Sequence, residues 1–403
     1  MGLMFCGGKT EVPEETEMAA MQLTPKEQLG KLLFFDSNLS TPPGQACAAC
    51  HGPAVGFTGP DSIANETTAV YPGALESRFG NRKPPAASYA GASPVLHIEE
   101  EETFEGGMFW DGRATGWDLG DPLAEQAMGP FLNPLEMNMP DEGAVIQKVL
   151  DSAYANLFRE VWGPDSLTLE DIKGTYERIA RAIAAYERSS EVNPFNSKFD
   201  DFWKETQTAG LDLVAMTEEN WRTYKGYGLD DAEVQGLMLF HTKGKCSQCH
   251  VIDSEDGNPP LFTDFTYDNL GAPRNPDNPF YVQDKEFNPE GQAWVDKGLG
   301  AFLAGVDEYK QYAQDNMGKY KVPTLRNVDR RPTPGFVKAF LHNGVFTTLK
   351  EVVNFYNTRD VEGAAWPEPE IAANVNTEEL GDLGLTEAEE DLIVLFMKTL
   401  SDR

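Results

Sequence analysis

Cys47-Ala48-Ala49-Cys50-His51 and Cys246-Ser247-Gln248-Cys249-His250 are the stretches on which the fold turns. Each is a Cys-x-x-Cys pair followed at once by histidine, the pattern of c-type haem attachment. The spacing has a chemical reason. Two thiols add across the two vinyl groups of one porphyrin, and the adjacent imidazole reaches the iron from the proximal side. A four-cysteine zinc site or a pair of redox dithiols would use the same thiols. Neither needs a histidine after each pair, and the chain has only 5 histidines in 403 residues. The pattern implies two covalently bound haem c groups, held by Cys47, Cys50, Cys246 and Cys249, with His51 and His250 on iron. Such attachment takes place outside the cytoplasm in bacteria, so the periplasm or cell envelope is the expected location. No cysteine pair remains for a disulfide.

The fifth cysteine, Cys6, closes the apolar stub Met1-Gly2-Leu3-Met4-Phe5 ahead of Gly7-Gly8. It reads either as the tail of a lipoprotein signal, and so a lipid anchor, or as a leader scar. Residues 1–21 are taken as a leader remnant and tether, polar and Pro-containing from residue 9 onward.

An internal repeat surrounds the two motifs. Leu23, Glu27, Gly30, Leu33 and Phe34 before the first motif match Leu229, Glu233, Gly236, Leu239 and Phe240 before the second, without gaps. Both stretches predict a short amphipathic helix; Thr24, Pro25 and Glu27 give the first a capping box with proline at its first position. A closing helix follows in each half. Ile172, Tyr176, Ile179, Ile183 and Tyr186 recur at helical spacing over 168–189, and Leu392, Ile393, Leu395, Phe396 and Leu400 over 386–400 behind a Thr386/Glu389 box. The expected fold is mainly α, with two cytochrome c-type domains at 22–205 and 206–403 and long haem-wrapping loops such as 256–300 and 360–384.

Composition narrows the partners. With 33 Lys+Arg against 65 Asp+Glu, the net charge is −32. Such a surface repels nucleic-acid phosphates and anionic lipid, and suits a cationic protein partner or a saline habitat. No apolar run is long enough for a transmembrane helix.

Between the motifs stand Phe109-Trp110-Asp111-Gly112-Arg113, Glu125-Gln126-Ala127 and Gly129-Pro130-Phe131-Leu132-Asn133-Pro134-Leu135-Glu136-Met137. The second half carries Val322-Pro323-Thr324-Leu325-Arg326-Asn327, His342-Asn343-Gly344 and Leu349-Lys350-Glu351-Val352-Val353-Asn354-Phe355-Tyr356. On these runs the chain resembles the bacterial di-haem cytochrome c peroxidase family, MauG-type enzymes included, from about 22 to 402.

The resemblance implies roles. The haem on His51 is the peroxide-reacting one. Glu136 matches the distal carboxylate, which moves a proton between peroxide oxygens; a Glu in an apolar pocket has the raised pKa that this needs. Gln126 and Pro130 match distal-pocket residues, and Trp110 matches the tryptophan between the haems, where an indole relays an electron or simply packs. The chain departs from the reductively activated members, which have a second His ligand sixteen residues after the proximal one: Thr67 stands there. The first iron is then expected to be open on its distal side, with His97 a substitute ligand or, more simply, structural. Where the standard peroxidases carry an axial Met on the second iron, this chain has Tyr356, as in MauG-type members; an anionic phenolate lowers the reduction potential. Met317 is the rival ligand. The family also binds calcium between its domains through an Asn side chain and two carbonyls. Lys83 occupies the Asn position and cannot ligate Ca²⁺, and the carbonyl side, near Thr333 and Pro334, is lengthened, so calcium is weakly supported.

Three functions follow. The first is a peroxidase that reduces hydrogen peroxide with electrons from a small cytochrome c or copper protein. The second is a MauG-type oxidase that stores high-valent di-haem iron to oxidise Tyr or Trp side chains of a partner protein. The third is a non-catalytic di-haem electron carrier.

Overall fold

The protein is described by a computed structural model that covers residues 22–99, 102–254 and 257–403. Cys6 and the tether lie outside the described residues. The chain is mainly helical. Its strands are short pairs: His97–Ile98 with Phe104–Glu105, and Tyr267–Asp268 with Tyr320–Lys321, both antiparallel.

The first leading helix, Pro25–Phe34, starts where the sequence says it should. Thr24 N–H donates to the Glu27 carboxylate at 2.6 Å, and Glu27 N–H donates to Thr24 Oγ1. This closes a capping box, a device worth about 1 kcal/mol. The second leading helix, Asp231–His241, repeats the device with Asp230 and Glu233. The closing helices run Ile172–Glu187 and Glu387–Lys398, the latter with the expected Thr386/Glu389 box.

Leading and closing helices cross in each half at a glycine. A Cβ on Gly30 would overlap the carbonyl of Ala182 and press on Tyr186, and one on Gly236 would overlap the carbonyl of Leu392 and press on Phe396. The repeat therefore records a helix crossing so close that only hydrogen fits. Next to each crossing an aromatic side chain, Phe34 or Phe240, is fully buried.

The two largest apolar clusters follow the two halves of the chain. One is built from residues between Leu29 and Val192, the other from residues between Phe199 and Leu400. Helix Lys198–Thr208 runs through position 205 and sends Phe199, Phe202 and Trp203 into the second cluster. Most of the expected core residues of the closing helices are buried, with exceptions. Ile172 is exposed, because it stands in the first turn, beyond the edge of the packed face, and Leu392 and Leu395 are half-buried. Residues 257–300 carry the strand Tyr267–Asp268, two 3-10 turns at Pro279–Val282 and Gly291–Ala293 and the start of helix Gly298–Ala304, and residues 360–384 carry no helix.

Candidate active site

The first Cys-x-x-Cys pair forms a single helical turn, Cys47–Cys50, capped by His51; the second starts a 3-10 turn, Cys246–Gln248, capped by Cys249, and all four thiols are unpaired. His51 N–H donates to Cys47 O and His250 N–H donates to Cys246 O, both at 2.9 Å. The two imidazoles are oriented alike. Nδ1 of His51 lies 3.1 Å from the carbonyl of Phe57, and Nδ1 of His250 lies 2.8 Å from the carbonyl of Phe262. A carbonyl can only accept, so Nδ1 carries the proton and Nε2 is left free to bind iron. Burial lowers the pKa of both imidazoles, which keeps them neutral.

The clasp itself is duplicated. Phe57 and Phe262 both adopt positive φ, at 55° and 56°. The threonine after each donates to the residue before a proline: Thr58 to Pro84 O, Thr263 to Val322 O, both at 2.7 Å. Sequence comparison misses this second repeat because the spacing between its parts differs in the two halves. The signal was there as Phe-Thr after each haem motif and a Lys-x-Pro triplet further on, Lys83-Pro84-Pro85 and Lys321-Val322-Pro323.

Glu136 sits in a turn beyond helix Pro122–Leu132. Asn133 builds that turn: its side chain accepts from Leu135 N–H at 2.9 Å and its carbonyl from Glu136 N–H at 3.0 Å. The Glu136 carbonyl accepts from Ala74 N–H, so the loop carrying Pro72 and Gly73 is fastened to it. Burial raises the Glu136 carboxyl; Arg113 and the Asn133 side chain pull it partly back. Its charge adds to the burial that raises the Cys50 thiol and contributes at Cys47, so the carboxyl lies near the first attachment loop. Gln126 and Pro130 are one helical turn apart on the same face of helix Pro122–Leu132, both half-buried. Pro130 has no N–H, which leaves the Gln126 carbonyl without its helical donor.

Trp110 is 8% exposed. Its indole N–H donates to Lys83 O at 2.8 Å, and its carbonyl accepts from Lys321 N–H at 2.9 Å. Trp110 lines an apolar cavity together with Gly56 and Thr58 of the first half and Cys246, Cys249, His250 and Tyr356 of the second. The Asp and Arg of its motif have a mechanical role. Asp111 binds Arg82 at 2.6 Å and Arg113 at 2.8 Å, and Arg82 binds Asp296 at 2.6 Å across the junction. Burial alone would raise Asp296, but the Arg82 guanidinium outweighs it and holds the carboxyl below its usual range.

Tyr356, on helix Leu349–Thr358, lines the same cavity as His250. Burial pushes its phenol well up. Met317, the rival, packs instead near Leu299, Leu303 and Tyr267 in a separate apolar cluster and does not line the cavity. His97 lies on the short hairpin with both ring nitrogens engaged, Nδ1 by Val95 O at 2.8 Å and Nε2 by Glu99 at 2.7 Å. That is a structural histidine, as expected. His342, quoted above in its motif but given no role there, has its Nε2 buried without a hydrogen-bond partner and lines the His250 cavity. Two oriented histidines, four free thiols beside them and an orphaned buried nitrogen fit porphyrin cofactors.

The family model described as di-haem cytochrome c peroxidase matches residues 24–208. The methylamine utilization protein MauG of Paracoccus denitrificans is 34% identical over 93% of this chain and 88% of its own length. This chain belongs to the di-haem cytochrome c peroxidase family. Another relative in the family is the cytochrome c551 peroxidase of Nitrosomonas europaea, 28% identical over 88% of this chain and 80% of its own. Among solved structures, the diheme peroxidase BthA of Burkholderia thailandensis superposes with a TM-score of 0.75 at 29% identity, over 95% of this chain and 87% of that one. Membership of the di-haem peroxidase family implies two haem c groups and peroxidase-type oxidoreductase chemistry. Among the described residues, no helix is long and apolar enough to cross a membrane.

Proposed function

We propose that this protein is a di-haem c-type peroxidase that reduces hydrogen peroxide at the His51 site with electrons entering through the His250 site. The observation that carries the reading is the place of Glu136: its carbonyl accepts from Ala74 N–H, and Gln45 Nε2 bonds both Pro72 O of that loop and Cys50 Sγ, so the Glu136 turn lies beside the first attachment loop, where burial raises its carboxyl. The haems, which Cys47 and Cys50 and Cys246 and Cys249 would hold by thioethers and His51 and His250 through Nε2, would supply the iron that binds and reduces peroxide in the first half and passes electrons in the second. Peroxide takes up two electrons and two protons and leaves as two waters. Glu136 would accept a proton from peroxide and return it to the oxygen that leaves as water. Gln126 orients peroxide by hydrogen bonding, and Pro130 keeps the distal wall apolar. Trp110 carries the electron between the two sites. The chain is read as two cytochrome c-type domains, 22–205 and 206–403, with Trp110 and the Arg82–Asp296 pair at their junction.

The electron donor is proposed to be a small periplasmic cytochrome c or copper protein with a basic face, drawn by the −32 net charge. A second reading, oxidation of Tyr or Trp side chains on a partner protein, rests on Tyr356 in the His250 cavity. A phenolate there makes the second site a reluctant electron source. Steady-state assay with peroxide and reduced cytochrome c separates the two. Fast turnover supports the peroxidase; slow turnover with a long-lived spectral change after peroxide supports protein oxidation. A protein whose spectrum ignores peroxide is an electron carrier, and both catalytic readings fail.

A further inference from the structure

Two lysines converge where the halves of the chain meet, Lys338 buried and Lys83 half-buried. Lys338 is 4% exposed. Its Nζ donates to the carbonyls of Val55 and Asn327, both at 2.9 Å, and of Arg330 at 3.2 Å. Val55 follows the first attachment loop; Asn327 and Arg330 follow the Val322-Pro323 segment that supports the second. Three acceptors from three backbone positions need three N–H groups, and an ammonium is the form of lysine that has them. Lys83 is the second. Its Nζ donates to Pro84 O at 3.0 Å and Thr58 Oγ1 at 3.2 Å. Its backbone carbonyl holds the Trp110 indole, and its N–H donates to His342 O at 2.8 Å.

This is the arrangement of a cation site, with carbonyl and hydroxyl oxygens converging at the junction, already filled by the chain's own charge. Calcium takes six to eight oxygen ligands and favours carboxylates among them. The residues here do not fit it. Lys83 stands where the resemblance expects an Asn ligand. Thr333 and Pro334, on the expected carbonyl side, lie exposed in a turn closed by Phe336 N–H on Thr333 O. The carboxylate of Asp329, near Lys338, is held by Arg331 at 2.8 Å. A divalent ion would also meet the repulsion of both ammonium groups. Burial and mutual repulsion do work against the lysines: burial lowers Lys83, and burial, Lys83 and the nearby Arg331 and Arg330 lower Lys338 against the pull of Asp329. The three carbonyls on Lys338 are the compensation.

We propose that the ammonium groups of Lys338 and Lys83 are the structural cations of the junction, and that this protein holds its halves in register without calcium. The proposal does not depend on which reaction the haems carry out.

The test uses the holoprotein. Thermal unfolding and the resting electron paramagnetic resonance spectrum are recorded after dialysis against EGTA and again after millimolar calcium is added. Neither treatment is expected to move the Tm or the spectrum. A Tm that falls with EGTA and returns with calcium overturns the proposal, as does bound calcium that survives purification and whose removal changes either signal. Lys338→Met, which keeps the length of the chain and removes the charge, is expected to lower the Tm by roughly 5 °C or more, with no recovery on adding calcium. An unchanged Tm in that variant overturns the role of Lys338. If the variant does not fold, the chelation result on the unaltered protein decides alone.

Discussion

Trp110 and His342 meet edge to face across the junction, with ring centroids 6.5 Å apart. His342 stacks in turn on Tyr320, at 3.5 Å and nearly parallel. The Trp110 indole N–H donates to Lys83 O and the Lys83 N–H donates to the backbone carbonyl of His342, so one residue ties both aromatic residues to the same strand of chain.

Replacing the indole should separate packing from relay. Trp110→Phe keeps an aromatic ring but loses the hydrogen bond to Lys83 O, a change of about 1 kcal/mol in stability. Electron transfer between the haems is expected to slow at least tenfold, read by rapid mixing of the half-reduced protein with peroxide. A rate equal to that of the unaltered protein would reduce Trp110 to a packing residue.

Glu136→Gln keeps the shape of the distal turn and removes the acid–base group. Peroxide cleavage should slow by about 10²–10⁴-fold, with both haems still attached and the resting spectrum unchanged. Stopped-flow absorbance after peroxide addition gives the rate. Kinetics within a factor of two of the parent would take Glu136 out of the mechanism.

Tyr356 can be tested as an iron ligand. Tyr356→Phe should change the low-spin signal of one haem. Tyr356→Met should raise that haem's potential by ~0.1 V or more, within the roughly 0.8 V that axial ligands span. Spectroelectrochemical titration of both variants reads the effect, and spectra that do not change would assign the ligand elsewhere.

The helix crossings predict a matched pair of stability effects. Gly30→Val and Gly236→Val each drive a side chain into a carbonyl of the facing helix. Each is expected to cost at least the ~1–3 kcal/mol of an overpacked core, lowering the Tm and loosening the haem of its own half first. Gly305→Val makes a control, because a Cβ there meets no neighbour closer than ordinary contact.

Glu187 offers a pH test. It is 4% exposed on the first closing helix, with one carboxylate oxygen unpartnered, and burial pushes its carboxyl up to about 8. The unfolded chain releases this proton near the ordinary Glu pKa of about 4.3. Between those values the folded state holds the extra proton, so raising the pH costs stability until the folded group has ionised too. Glu187→Gln removes the titration. Its Tm advantage over the parent should grow from pH 5 to pH 8 and level off above, as followed by thermal melts in a pH series. A constant difference would show that Glu187 does not titrate in that window.

The parts legible in the sequence are those written in short, regular spacing. The haem motifs, the capping boxes at Thr24 and Thr386, and the repeat that carries Gly30 and Gly236 all act over a few residues or recur at a fixed offset. The parts that were not legible join distant segments. Arg326 is fully buried and paired with Asp200 at 2.7 Å, a contact between a loop and helix Lys198–Thr208 that no local pattern announces. Asp111 reads as part of a catalytic run, yet its partners, Arg82 and Arg113, make it a brace. Ile172 matches the helical period but stands at the solvent end of its helix, because periodicity gives the face and not where the packing stops.

The acceptor behind each proximal imidazole has a last consequence. A carboxylate in that position would draw the ring proton toward itself and make the ligand more electron-rich. Phe57 and Phe262 offer only neutral peptide oxygens. The proximal imidazoles therefore gain little extra electron density from behind, and in the proposed reaction more of the work of cleaving peroxide would fall to the Glu136 carboxyl.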